Sequence, residues 1–509
     1  MPNPVSLDGH ALTRRDFDEV VCQNRRVQLS LRARKAMMRS RALVEKLIAQ
    51  KKIVYGLTTG VGSLSTERID PAQARALQLN IVRSHACGVG EMLDEHAVRG
   101  LLLLRANALA GGLAGVRPAV ADLLCAFLNH QIHPIVPSRG SVGASGDLAP
   151  LAHVALALVG EGEVRFRGKR LRAASAMQRA RLKPLVLEAK EGLSLVNGTQ
   201  AMLAVGLIAL REAEILVDTA DVAGALSLDA LRGSPLAFDE RLHLARPHPG
   251  QLQTARNLSR LNHGSAIRAS HLDCLRVQDA YSLRCMPQVH GAVRDALGYA
   301  RRTFETEMNS ATDNPLVFVR EGDVISGGNF HGQPLAIAFD LMAIVLTQLA
   351  GISERRIDRM VNPLTSELPA FLTRAAGLES GFMLAQVAAA ALASENKVLA
   401  HPASVDSIPT SGNKEDYVSM GMTAALKLRP ILANARIILA IELLAACQAL
   451  DLLSPLKSGR LAEKARAQVR RVSPPVRRDR PLHGDIARVG DLIAGGALAR
   501  IVTAETTAD

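Results

Sequence analysis

Four stretches of the chain, 195–231, 332–360, 381–400 and 421–453, are apolar at nearly every helical turn. A surface helix shows one apolar stripe; a helix apolar all round is buried among other helices. Many of the apolar positions are Ala, which lets helix axes approach closely. The pattern predicts long, buried helices packed as a bundle, with subunit interfaces covering several of them. Upstream the pattern is more broken. The first 100 residues mix short helices with Gly-rich loops, and KIVYGLTTGVG at 52–62 reads as a strand-like run into a Gly-punctuated loop. Residues 98–130 read as helical with breaks at Gly111-Gly112 and Pro118, and Pro134 and Pro137 force IHPIVPSRG into an extended or turn segment. The predicted fold class is mainly α: an elongated bundle of long buried helices with a smaller mixed N-terminal region. The expected division is 1–110 and 111–509. No internal repeat or low-complexity linker interrupts it.

Composition changes this picture little. The 509 residues are 48% hydrophobic and 21% charged, as in an ordinary globular protein. Aromatics are only 3%, with no Trp, so the core is aliphatic. The most apolar stretches contain charges: Arg105, Arg117 and Asp122 in one, Asp340 in another, Glu442 in a third. None offers the roughly 20 uninterrupted apolar residues of a membrane helix. The start, MPNPVSLDGH, lacks a basic region followed by an apolar run, so no secretory signal and a cytoplasmic location are expected.

Lys plus Arg exceeds Asp plus Glu by 13. A nucleic-acid surface is one reading, but the arginines are dispersed and aromatics for base stacking are few. A basic solvated surface, or a field that draws in a carboxylate-bearing substrate, fits better. The six cysteines form no CxxC pair and are expected to be reduced thiols. No HExxH occurs. His130 and His133 have the spacing of two ligands, but such a pair in a loop is more often not a metal site.

The most informative segment is GSVGASGDLAPLAH at 140–153. It is not a phosphate cradle, because it lacks the Lys-Ser/Thr ending and GxGxxG. It is not a nucleophile elbow, because Asp147 replaces the second Gly of GxSxG. The plain reading is a tight turn, with Asp147 capping the helix that follows. A chemical reading competes with it. The Gly146 amide nitrogen can attack the Ala144 carbonyl and close a five-membered ring, and loss of water then turns the Ser145 side chain into an exocyclic methylene. The product, methylidene-imidazolone, is a strong electrophile. Small residues suit the compressed backbone.

That segment resembles the aromatic amino acid ammonia-lyases and aminomutases. Seven further segments resemble them in order: YGLTTGVG at 55–62, QLNIVRSHACGVG at 78–90, EGLSLVNGTQ at 191–200, VQDAYSLRCMPQVHG at 277–291, TDNPLVF at 312–318, SGGNFHG at 326–332, and SENKVLAHPASVDSIPTSGNKEDYVSM at 394–420. The resemblance implies elimination of ammonia from a small-molecule amino acid. It implies an electrophile formed autocatalytically from Ala144, Ser145 and Gly146, with no external cofactor and no metal. It also implies a homotetramer whose active sites are each shared by three subunits, with no nucleic-acid or membrane partner.

Carried over residue by residue, Tyr55 matches the catalytic tyrosine. A tyrosine hydroxyl is a weak acid in water, so a base role near neutral pH needs a site that stabilises phenolate. Arg284 matches the arginine that grips the substrate carboxylate at two points; the plain alternative is a surface or interface ion pair. Asn197, Gln278 and Tyr281 match polar residues that orient substrate and ring, Tyr281 with the largest expected effect on rate. Phe330 matches an aromatic beside the ring, or is ordinary core. His85 and Glu415 match positions that vary with substrate. A histidine at the first resembles histidine and tyrosine lyases, and a glutamate at the second resembles histidine lyases. Together they favour L-histidine, with urocanate as product.

The chain departs from the family pattern at Thr58, Val61, Gly412, Lys414 and Tyr417, all near the expected substrate. Tyrosine, phenylalanine or a modified histidine such as ergothioneine therefore stay open as substrates. A trimethylammonium group, however, has no N–H and could not be captured in the same way. Aminomutase chemistry and a non-catalytic basic scaffold are the competing classes. Product analysis separates the first, and intact mass, through the two waters lost on ring formation, separates the second.

Overall fold

The structure, a computed structural model, describes residues 3–272 and 277–503. It is mainly helical, and the expected long helices are present as Gln200–Ala230, Gln333–Val361, Met383–Leu399 and Gly421–Leu452. The chain divides into two compact units. The first comprises Met1–Ile208, Arg301–Asp340 and Pro402–Leu426; the second comprises Ala209–Ala300, Leu341–His401 and Lys427–Asp509.

The first unit takes in the mixed N-terminal region. Val5–Leu7 pairs in parallel with Val27–Leu29. Helix Arg14–Gln23 between them starts at a capping box in which Thr13 and Asp16 satisfy each other's backbone N–H groups. Helix Glu95–Ala110 begins at Asp94, whose carboxylate accepts the Ala97 N–H. Nearly all of that helix is buried, because helices Arg14–Gln23, Leu31–Ala49 and Pro118–Asn129 pack around it. Pro118 opens its helix, at a position where a missing N–H costs nothing. Ile132–Pro134 joins Glu163–Phe166 and Lys169–Arg172 in a three-stranded antiparallel sheet. Pro137–Arg139 pairs with Val89–Met92 and leads into the Gly-rich loop.

Two local expectations are corrected. The run at 52–54 is not a strand: Val54 and Tyr55 enter a turn in which the Val54 N–H donates to Thr58 Oγ1 at 3.0 Å. Helix 195–231 is split. A short helix, Glu191–Val196, stops at Asn197, which is extended (φ −82°, ψ 129°), and Gly198 (φ +133°) turns the chain before the next helix starts at Gln200. Gly reaches that φ without a Cβ clash, and the polar run Asn197-Gly198-Thr199-Gln200 marks the break between the two apolar stretches.

The second unit is a set of helices, among them Pro249–Asn262, Met383–Leu399, Arg460–Val472 and His483–Ala494. Several of its buried charges are paired. Arg356 and Glu442, both fully buried, meet at 2.5 Å, and Ser227 and Ser353 also donate to Glu442. Arg294 bonds Asp218 and Asp221, and Asp221 also pairs with His290. Removing one partner of such a pair costs ~3–5 kcal/mol, because it strands the other charge away from water.

Helices Gln333–Val361 and Gly421–Leu452 are long and apolar enough to cross a membrane by length and composition. Their apolar windows are 56% and 78% buried inside the protein, and they carry the buried Asp340 and Glu442. The burial accounts for their hydrophobicity as core helices.

Candidate active site

The loop at 140–147 follows strand Pro137–Arg139 and precedes helix Ala149–Leu158. Its glycines are dictated by contact. A Cβ on Gly146 (φ +74°) would lie 2.1 Å from the Gly198 carbonyl oxygen, and one on Gly143 (φ +69°) would lie 2.2 Å from Ser419 Oγ. The loop pairs with the break at 197–198: the Asp147 N–H donates to Gly198 O at 2.7 Å, and the Gly198 N–H to Ser145 O at 3.3 Å. Ser141 closes the turn, donating to Gly146 O at 3.2 Å and accepting from the Gly143 N–H at 3.2 Å. Ala144 is buried against Val418 and Met420. Leu148, a non-glycine at φ +44°, carries backbone strain immediately after the loop.

Asp147 does not cap the helix beside it, as the sequence suggested. That helix begins at Leu148 with no side-chain cap. The Asp147 carboxylate instead accepts the Ala201 N–H at 2.5 Å and the Met202 N–H at 3.2 Å, at the start of helix Gln200–Ala230. Complete burial pushes its carboxyl up to about 7, against the pull of those two backbone donors. The same aspartate thus fastens the loop to the first turn of helix Gln200–Ala230.

Ser145 Oγ donates to Glu415 Oε1 at 2.9 Å. The other oxygen, Oε2, accepts from Thr410 Oγ1 at 2.6 Å. Thr410 and Glu415 also exchange backbone hydrogen bonds across a turn in which Ser411, Gly412 and Asn413 all have positive φ. That turn aims the half-buried carboxylate at the loop. Lys414, beside it, is exposed.

The segment 326–332 also reaches the loop, through the Gly332 N–H and Gly143 O at 3.2 Å. Within it Phe330 is half-buried, and His331 stacks on Tyr417 with ring centroids 6.3 Å apart. Tyr55 is half-buried against Ile81, Ala152, Leu193 and Val196, and Leu148 and Val61 pack on the same cluster. Its phenol oxygen accepts the Gly62 N–H at 2.9 Å. A donor there is accepted more strongly by a negatively charged oxygen than by a neutral one.

Asn197 donates through Nδ2 to Asn314 O at 3.0 Å, and its own carbonyl accepts from Arg105 Nη1 at 2.5 Å. The neighbouring Asp313 is held ionised by Lys190 at 2.7 Å, with Ser194 donating to it at 2.7 Å. His85 ends helix Ala74–His85, with Nδ1 3.1 Å from Ser84 Oγ, and no hydrogen bond joins it to Ser145 or Glu415.

The first unit therefore joins Ser145 to Glu415 by a hydrogen bond and sets the loop at 144–146 beside Asn197-Gly198, with Tyr55 and Phe330 on segments tied to the same loop. Gln278, Tyr281 and Arg284 belong to the second unit. Gln278 is exposed and Tyr281 is 71% exposed. The Arg284 guanidinium lies 4.6 Å from the Tyr281 ring centroid, and its buried Nε has no hydrogen-bond partner. Among the described residues Arg284 stands against the Tyr281 ring and makes no ion pair.

The sequence model of the aromatic amino acid lyases matches residues 12–471. The chain belongs to that family. It is a carbon–nitrogen lyase. A histidine ammonia-lyase of Koribacter versatilis is 60% identical, the match covering 97% of this chain and 98% of the relative. The crystal structure of histidine ammonia-lyase from Trypanosoma cruzi is 42% identical and superposes with a TM-score of 0.91, covering 99% of this chain and 95% of that one. Tyrosine aminomutase from Streptomyces globisporus is 39% identical with a TM-score of 0.94, covering 99% of each chain. The family thus shares one fold between elimination and amine migration, and side chains around that fold must choose between them.

Sequence reasoning passed over several residues that build the site. Arg105 was visible only as a charge inside an apolar helix, and Thr410 only as part of a long matching segment. Asp147 was assigned the wrong helix, because a cap that comes from a distant part of the chain leaves no local spacing to read.

Proposed function

We propose that this enzyme eliminates ammonia from L-histidine to give trans-urocanate, using a methylidene-imidazolone built from Ala144, Ser145 and Gly146 and no external cofactor. The observation that carries the reading is the 2.9 Å bond from Ser145 Oγ to Glu415 Oε1. It puts the residue that becomes the electrophile beside a carboxylate suited to an imidazole N–H. The loop fits the ring: position 146 has no room for a side chain and position 144 is a buried Ala, so backbone can fold onto backbone. The ring supplies an electrophilic exocyclic carbon that takes up the substrate amine and makes it a better leaving group.

The other roles belong to the chain's own side chains. Tyr55 takes the β-proton onto its phenol oxygen, where the Gly62 N–H helps to hold negative charge before transfer. Glu415 pairs with the imidazole, with Thr410 fixing the carboxylate plane. His85 supplies a second contact to the ring of the substrate. Arg284, whose Nε has no hydrogen-bond partner among the described residues, grips the substrate carboxylate. Asn197, Gln278 and Tyr281 orient substrate and electrophile, and Phe330 packs beside them.

A homotetramer with shared active sites is part of this reading. Support comes from the exposure of Tyr281 and of apolar side chains on long helices, such as Ile337, Leu384, Val387 and Val398, which a neighbouring subunit would cover. A cytoplasmic enzyme with no nucleic-acid or membrane partner completes it; the paired arginines and the burial of helices Gln333–Val361 and Gly421–Leu452 support that part.

Substitution Glu415→Gln tests the substrate assignment. The reading expects kcat/KM for L-histidine to fall by ~10- to 100-fold, as loss of a charged hydrogen bond does, with little change for L-phenylalanine. Equal losses for both amino acids would overturn histidine as the substrate.

A further inference from the structure

We propose that Arg105 is a positioning residue for ring closure: it clamps the Asn197–Gly198 backbone against Gly146, so that the Gly146 nitrogen is held on the Ala144 carbonyl. The inference rests on the electrophile reading above and extends it to a residue on a distant helix.

Arg105 lies in helix Glu95–Ala110 and is 1% exposed. Its Nη1 donates to Asn197 O at 2.5 Å and to Gln200 Oε1 at 2.8 Å. Its buried Nε and Nη2 have no hydrogen-bond partner. Burial without a direct ion pair pushes the guanidinium down to about 10, with Asp313 and Asp147 acting in the opposite direction. An incompletely satisfied buried cation is costly. A methionine of similar length would suit the apolar helix better if packing were its only task.

The structure shows what the guanidinium holds. Asn197 and Gly198 run alongside Gly146 in a parallel bridge, with Asp147 N–H bonded to Gly198 O. The stack has no slack. A Cβ on Gly198 would lie 2.7 Å from Arg105 Nη1, and a Cβ on Gly146 would lie 2.1 Å from Gly198 O. On the far side of the clamp, Gln200 Nε2 donates to Thr312 Oγ1 at 2.8 Å. Guanidinium, Asn-Gly backbone and Gly146 are therefore in contact in series.

Ring closure forms a bond from Gly146 N to the Ala144 carbonyl carbon. The carbonyl oxygen leaves as water with the Gly146 and Ser145 amide protons, and a C=N double bond forms between the Ala144 carbon and the Ser145 nitrogen. Ser145 then loses its Cα proton and its hydroxyl as the second water. An amide nitrogen is a poor nucleophile, so the closure depends on geometry held in advance. Among the described residues the Gly146 N–H makes no hydrogen bond, which leaves the nitrogen free to attack. Loosening the Asn197–Gly198 wall removes the compression and stops the closure while leaving the helical fold in place.

The test is intact mass of the purified full-length protein for wild type, Arg105→Met and Arg105→Lys, with helical circular dichroism and thermal unfolding on the same samples. Wild type is expected to be lighter than its sequence by two waters. Arg105→Met is expected to keep both waters in nearly all chains. Arg105→Lys, which retains the charge and one donor, is expected to fold and to give a mixture of masses. Its kcat should fall in proportion to the ring-bearing fraction while KM is unchanged, which a merely structural role would not produce. Should the Met variant fail to fold, the Lys variant decides. Full ring content in folded Arg105→Lys and Arg105→Met, or in folded Arg105→Lys alone if Met does not fold, overturns the assignment. A wild type at full sequence mass overturns the electrophile reading itself.

Discussion

Ser145 Oγ donates to Glu415 Oε1 at 2.9 Å across 270 residues of sequence. One partner sits in a glycine-built loop that pairs with Gly198, and the other in a turn of three positive-φ residues that Thr410 braces. Backbone strain is kept on both sides of this contact, where a fixed geometry is worth its cost.

Substituting Ser145→Ala removes the hydroxyl and with it any route to the exocyclic methylene. Turnover should fall by orders of magnitude, with the helical circular dichroism signal unchanged. Activity comparable to wild type in the alanine variant would mean that Ser145 does not furnish the electrophile.

Thr410→Val deletes the 2.6 Å hydrogen bond to Glu415 Oε2 but leaves the carboxylate in place. One lost hydrogen bond to a charged group is worth ~1.5–3 kcal/mol, which translates to about ten-fold or more in rate. Steady-state kinetics on L-histidine should show that loss chiefly in kcat, and wild-type kinetics would separate Glu415 orientation from catalysis.

Tyr55→Phe keeps the ring packed on Ile81, Ala152, Leu193 and Val196 and removes only the oxygen that accepts the Gly62 N–H. A base role predicts a loss of ~100-fold or more in kcat with stability within ~1 kcal/mol of wild type. If instead the variant unfolds more readily and its activity per folded molecule is unchanged, Tyr55 is a packing residue.

For Arg284→Lys the expected defect is in KM for the amino acid, because an ammonium cannot reproduce the planar two-point grip on a carboxylate. The substrate's descarboxy analogue should bind both proteins equally. A Lys variant with wild-type KM would remove Arg284 from the site.

His133 offers a pH test of the fold. Its Nε2 lies 3.1 Å from the buried Arg99 guanidinium, and burial, then Arg99, pushes the imidazole down to about 3. An unfolded histidine titrates near 6.5. Between those values the unfolded chain binds a proton that the folded chain refuses, so this contribution is full above about 6.5 and is lost as pH falls toward 3. Denaturant unfolding should lose stability on acidification by as much as ~1.4 kcal/mol per pH unit from this group. His133→Gln, which keeps an acceptor for Arg99, should be less steep over the same range; an identical slope would exclude His133 as a source of acid lability.

The long helices were legible because an all-round apolar pattern has one cheap solution, burial among other helices. Family membership was legible because the loop at 140–147 and seven further segments match one family in order along the chain. What could not be read was the support. The clamp of Arg105 on Asn197, the pairing of Gly198 with Gly146, and the capping of helix Gln200–Ala230 by Asp147 join residues 52 or more positions apart. Local spacing carries no trace of such contacts. The break at Asn197–Gly198, by contrast, carries a local signal, an Asn-Gly pair followed by Thr199 and Gln200.

The most direct measurement is ultraviolet detection of product from the purified enzyme given L-histidine, L-tyrosine and L-phenylalanine in parallel. The account predicts urocanate from L-histidine at a rate far above any product from the other two. Cinnamate or coumarate as the main product, a β-amino acid in place of an alkene, or no product from any of the three would contradict it.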